Sequence, residues 1–119
     1  MVLSILLASG FNSYSQTTST ITTENASIQG DYYTAEAGKM VYDQDNKITE
    51  LTGDVYFVTN AIEINDADKV VFNEETKEIT AHGNFTWRMR IPIEVVDTNG
   101  AKTRSMMRYK LGDDKAYLE

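Results

Sequence analysis

Residues 37–57 and 67–87 carry one pattern written twice. Ala37 matches Ala67, Lys39 matches Lys69, Tyr42 matches Phe72, Asp43 matches Asn73, Lys47 matches Lys77 and Gly53 matches Gly83, each thirty residues apart; Asp54 and Val55 then match Asn84 and Phe85. A repeat of this length is one supersecondary unit, copied so that stacked neighbours bury a shared apolar face. Each copy reads strand, polar turn, strand. The turns, Asp43-Gln44-Asp45-Asn46 and Asn73-Glu74-Glu75-Thr76, are made of residues that hydrogen-bond their own backbone. One pair breaks the spacing: Ile48-Thr49 matches Ile79-Thr80 at thirty-one residues, which predicts a one-residue β-bulge inside otherwise matched strands.

Successive strand residues point to opposite faces. Met40 and Tyr42 therefore share a face, as do Val70 and Phe72, Leu51 with Val55 and Phe57, Ile62 with Ile64, and Ile79, Ala81, Phe85 and Trp87. The other face carries Thr52, Asp54, Glu63, Asn65, Thr80, His82 and Asn84. The alternation predicts a half-buried sheet with one apolar and one wet wall. Gly53 and Gly83 stand at the same point of each copy, where glycine inside a strand marks a bend. A bend in every copy folds the strands into a V with the apolar wall inside.

The order Ala-Asp-x-x-x-aromatic-Asp/Asn, polar turn, Lys-x-Ile-Thr-x-x-Gly-Asn/Asp-apolar, in two tandem copies over residues 31–87, resembles the OstA-like proteins of lipopolysaccharide transport, the LptA type. The resemblance implies an all-β, V-shaped, incompletely closed β-jellyroll, no catalytic residues, a periplasmic location and no cofactor. It implies lipopolysaccharide or lipid A as ligand. It also implies other Lpt-type jellyrolls as partners through stacked strand edges, including head-to-tail copies of the chain itself.

With 119 residues the chain is long enough for one domain with a modest core. It has no cysteine, which removes disulfides, thiolate nucleophiles and cysteine-metal sites, and its net charge of −7 argues against nucleic-acid binding. The one histidine, His82, lies on the wet face; nearly all the serines precede residue 28, and no nucleophilic triad can be drawn. Asp43-x-Asp45 starts like a calcium loop, but Lys47 and Ile48 stand where that loop needs an oxygen ligand and a glycine.

The apolar run from Val2 to Leu7, with Ser13 and Ser15 before Gln16, predicts a signal peptide over residues 1–15, without the basic start that such peptides carry; the alternative is a buried first strand. Residues 16–30 are rich in Thr and Ser and read as a leader or a short edge strand. Residues 31–119 form the single β domain. Its tail alternates without interruption from Phe85 to Val95, turns at Asp97-Thr98-Asn99-Gly100 and alternates again from Ser105 to Leu111, which predicts a hairpin over 85–111. Pro92, having no N–H to donate, puts an edge or bulge in that strand.

Six of the eleven basic residues fall between residues 88 and 110: Arg88, Arg90, Lys102, Arg104, Arg108 and Lys110. Two readings are open. Arg88, Arg90, Arg104, Arg108 and Lys110 bind an anionic head group, or they pair with the acidic repeat strands. The apolar wall of Met40, Tyr42, Leu51, Val55, Phe57, Ile62, Ile64, Val70, Phe72, Phe85 and Trp87 is the expected lipid-binding lining. The rival expectation is a ligand-free adhesion or assembly module that fills the V with its own side chains; a third is a hydrolase using paired carboxylates.

Overall fold

A computed structural model describes residues 3–4 (backbone), 20–97 and 106–119. The predicted signal-peptide cleavage region, the Asn99-Gly100 turn, Lys102 and Arg104 lie outside the described residues.

The described residues form ten strands and no helix: β1 (Leu3–Ser4), β2 (Thr20–Gly30), β3 (Thr34–Asp43), β4 (Ile48–Val58), β5 (Ile62–Asn73), β6 (Glu78–His82), β7 (Thr86–Met89), β8 (Glu94–Asp97), β9 (Met106–Lys110) and β10 (Lys115–Leu118). They belong to one sheet in the order β1-β2-β3-β4-β5-β6-β9-β10-β8, with β7 also paired to β5. The path runs from one end to the other without closing, so the fold is an open β-jellyroll.

The bend is visible in side-chain geometry. Phe57 on β4 lies near the register partner Ile64 on β5, and Phe72 lies eight residues further along β5. In a flat strand eight residues span roughly 26 Å. The Phe57 and Phe72 rings are 6.3 Å apart. The sheet has folded over on itself, so that each long strand contributes to two facing arms. One arm ends at the polar turns after β3, β5 and β9; the other ends at the connections after β2 and β4.

The corner of the V is a row of backbone irregularities that crosses the sheet. Asn25 (φ 51), Gly53 (φ 85), Asp54 (φ 47), Asp66 (φ 54) and Gly83 (φ 80) all lie in the left-handed region. Register shifts occur between Glu36 and Lys39 in the β3–β4 pair, and between Thr52 and Phe57 in the β4–β5 pair. Bulged residues bend a strand and raise its twist. The expected bulge at Ile48-Thr49 is not there. Ile48 faces Asn73, which faces Glu78, and Thr49 faces Phe72, which faces Ile79. The two copies therefore superpose at thirty residues throughout, and the Ile-Thr match at thirty-one is fortuitous.

The two polar turns are copies in atomic detail. Asp43 Oδ1 accepts from the N–H groups of Asp45 (3.0 Å) and Asn46 (3.1 Å). Asn73 Oδ1 accepts from those of Glu75 (2.9 Å) and Thr76 (3.1 Å). Each turn ends on a lysine with positive φ, Lys47 (55°) and Lys77 (65°). The turns also stack: the Glu74 N–H donates to the Lys47 carbonyl and the Leu111 N–H to the Lys77 carbonyl, both at 2.9 Å. The turn between β9 and β10 is thus the third in the pile. Tyr109 stands next to last in its strand, as Tyr42 and Phe72 do in theirs.

The tail departs from the expected hairpin over 85–111. The Phe85–Val95 alternation is cut at Pro92 into β7 and β8. β7 stays with β5, and its last rung is the Arg90 N–H donating to the Ala61 carbonyl at 2.7 Å. β8 pairs in parallel with β10, and β9 lies between β6 and β10. β8 and β9, which come before and after residues 98–105, are not neighbours, because β10 lies between them. From Thr20 the expected leader is a full strand, paired with β3 along its length and burying Ala26 and Ile28.

A candidate lipid-binding groove

The inward faces of both arms meet in one apolar cluster. Met40, Leu51, Val55, Phe57, Ile62, Ile64, Val70 and Phe72 are fully buried in it, while Tyr42, Phe85 and Trp87 pack against it half-buried. The structure therefore brings all eleven expected wall residues into one lining. It adds Ile28, Ala35, Ala67, Ile79, Ala81, Met107, Tyr109 and Ala116 from the same inward positions of neighbouring strands.

Tyr33 also belongs to the lining and was not legible as part of it. It follows the tight turn closed by the Gly30 N–H donating to the Tyr33 carbonyl at 2.9 Å. Its ring stacks on Phe57 at 4.6 Å and leans on Phe72 at 4.8 Å, so it is wedged between the two arms. It is only 3% exposed, and its hydroxyl has no hydrogen-bond partner. Burial drives its pKa far above that of an ordinary phenol, with the Glu74 carboxylate adding to the effect. Two tyrosines in a row in a connection carry no period-2 signal, so only the paired aromatics after Gly30 hinted at it.

Thr49 is a second polar intruder. It is buried, and its hydroxyl lacks a partner, whereas the other copy has Ile79 in that place. Nearby, the Tyr42 hydroxyl donates to Glu74 at 3.1 Å; burial first, and then Glu74, raises the Tyr42 pKa. Thr59 is buried but satisfied: its Oγ1 accepts from the N–H groups of Ala61 (3.0 Å) and Ile62 (3.1 Å) and shapes the β4–β5 connection.

The open side of the V is a seam where the tips of the arms face each other. A cavity of about 440 Å³ lies along it, lined by Asp31, Tyr32 and Asn60 from one set of tips and Lys77, Leu111 and Gly112 from the other. The Lys77 ammonium lies 5.6 Å from the centre of the Tyr32 ring and bridges the seam.

Of the two readings of the basic residues, a shared anion site is not formed by the described ones, Arg88, Arg90, Arg108 and Lys110. Arg88 bonds Glu63 through Nε (2.9 Å) and a terminal nitrogen (2.8 Å). Arg90 donates to the Thr59 carbonyl at 2.9 Å. Arg108 bonds Glu119 at 2.6 Å, approaches Glu78 at 3.6 Å and lies over the Tyr117 ring at 4.6 Å. Lys110 is exposed on the same strand as Arg108. Arg88 faces Glu63 on β5, whereas Arg108 reaches β5 through Thr80 at Val71, eight positions away and across the corner. The described arginines are answered by carboxylates and a carbonyl: the Arg88 hydrogen bond holds the Glu63 carboxyl below its usual range, and Glu119 raises the Arg108 pKa. His82 shares a 3.1 Å contact with Thr80, and no group of three or more potential metal ligands occurs among the described residues.

A family model described as LptA/(LptD N-terminal domain) LPS transport protein matches residues 8–78, more than half of the chain. The chain belongs to this family. Comparison with curated proteins finds no match, and neither does comparison with solved structures. The match takes in β2 through β5 and the start of β6, the strands that carry most of the apolar lining. Lipopolysaccharide transport is the family's setting, and the envelope is where such proteins work.

Proposed function

We propose that this OstA-like chain is a non-enzymatic carrier that shields lipopolysaccharide acyl chains in the periplasm on their way to the outer membrane. The observation that carries this reading is the largely apolar lining shared by the two arms of an unclosed sheet. An alkyl chain between the arms would exchange water for this lining at about 0.8 kcal/mol per methylene. Met40, Leu51, Val55, Phe57, Ile64, Val70, Phe72 and Trp87 would make the contacts, and the arms would part to admit it. Strand edges at the two ends of the sheet path offer backbone pairing to other Lpt-type jellyrolls or to a second copy head to tail. The test is to extract lipids from the chain purified from an envelope fraction and identify them by mass spectrometry. Co-purifying lipid A is the expected result.

One observation favours a second reading. Eight of the wall residues are fully buried against the chain's own side chains. A ligand-free assembly module would look the same, and it would yield no lipid in the same extraction and no binding of added lipid A.

A further inference from the structure

We propose that the seam between the arm tips is the entry port of the groove, with Tyr33 as its plug and the Tyr32–Lys77 cavity as the seat for a phosphorylated sugar head group. The inference rests on the carrier reading and names the place where the ligand enters and which part of it stays outside.

Two features of Tyr33 and one of the cavity beside it meet at this seam. The first is the wedge. Tyr33 touches Phe57 of one arm and Phe72 of the other, so an alkyl chain that enters between the arms from the open side must displace this ring. The second is the cost of keeping it there. A buried hydroxyl without a partner is unfavourable by roughly 1–3 kcal/mol, and Tyr33 Oη is such a group. A ring held at that cost is easier to expel than a leucine of similar burial, and once outside, its hydroxyl regains hydrogen bonds. The third is the cavity itself. Its 440 Å³ lies in the range of small-molecule sites. Its walls combine an exposed aromatic face (Tyr32, 51% exposed), a carboxylate (Asp31), an amide (Asn60) and an ammonium (Lys77).

That set of groups suits a sugar bearing phosphate better than it suits a simple fatty acid. An aromatic face packs against the C–H face of a pyranose ring. Carboxylate and amide groups bond hydroxyls, and the ammonium is a point charge for phosphate. The anionic group would replace the Tyr32 ring as the partner of Lys77, and loss of that bridge loosens the seam as the head group arrives.

The chain has no cysteine, so engineered thiols can be addressed without interference. The test joins Tyr32→Cys and Lys77→Cys with a short bis-maleimide and compares lipid A uptake with that of the same double variant capped by a mono-maleimide. The capped form, which lacks the Tyr32 ring and the Lys77 ammonium, should take up less lipid A than the native chain, and the bridged form should fall at least ten-fold below the capped one. In an otherwise native chain, Tyr33→Phe, which keeps the ring but removes the unpartnered hydroxyl, should slow uptake several-fold and Tyr33→Ala should raise it several-fold; an unchanged rate in both variants overturns the plug. Lys77→Ala should weaken lipid A more than dephosphorylated lipid A. Equal uptake by bridged and capped forms overturns the port while leaving the carrier reading standing. No lipid A binding by the native chain removes the carrier reading and the port with it. Equal loss for both lipids on Lys77→Ala overturns the head-group seat.

Discussion

The side chain of Asp68 fills the space beside Gly83. A Cβ built on Gly83 would meet the Asp68 carboxylate and lie 2.9 Å from Asp68 Cβ. The same carboxylate accepts the Asn84 N–H at 2.9 Å, and the Asp68 N–H donates to the Asn84 carbonyl at 3.0 Å. The corner of the second repeat is thus held from across the sheet.

Gly83→Ala should therefore destabilise the fold by about 2–3 kcal/mol, since it adds a clash to the strain of a positive φ. Gly53→Ala has the same conformational penalty, but its nearest neighbour would be Gly38 Cα at 3.4 Å. It should cost only about 1 kcal/mol. Urea midpoints of the two variants make the comparison, and adding Asp68→Ala to Gly83→Ala should recover part of the larger loss.

Thr49→Val should raise stability by about 1 kcal/mol, because it removes a buried hydroxyl with no partner from a place where the other copy carries Ile79. Thermal unfolding reads the change directly.

The folded chain should lose stability in acid through Asp43 and Glu63. Hydrogen bonds from Asn46 lower the pKa of Asp43, and the bond from Arg88 lowers that of Glu63. A carboxyl with a lowered folded pKa stabilises above its unfolded value, near 4, and the contribution disappears as pH falls through the folded value. Asp43→Asn and Glu63→Gln should each flatten the slope of stability against pH below about 4.5, measured by urea unfolding across that range.

At the alkaline end the sign reverses. The pKa of Tyr33 is raised by burial, so its stabilising contribution is complete below the ordinary phenol value near 10 and is lost as pH rises toward the folded value. Tyr33→Phe should be at least as stable as the native chain at pH 7 and should lose less stability above pH 10. Tyr33→Ala should cost about 3–5 kcal/mol at neutral pH. Denaturant titrations at pH 7 and pH 10.5 distinguish them.

Much of the lining was legible because it obeys the strand period. Met40, Leu51, Val55, Phe57, Val70 and Phe72 all point inward, and Gly53 and Gly83 both mark the corner as expected. Tyr33 escaped because a connection, not a strand, aims it inward. The tail escaped because β8 pairs in parallel with β10, a contact set by the rest of the sheet and invisible to local alternation. The basic residues left two readings open, because their partners lie far along the chain: Glu63 answers Arg88 across twenty-five residues of sequence and Glu119 answers Arg108 across eleven.

Because each thirty-residue copy brings its own turn, its own left-handed lysine and its own corner glycine, a trough of this kind can be lengthened like a ladder. A whole added unit preserves the cross-section. A single residue added just after Lys47 would instead turn Thr49 and Leu51 outward and bring their polar neighbours inside, so the trough lengthens by stacking further rungs and not by stretching one.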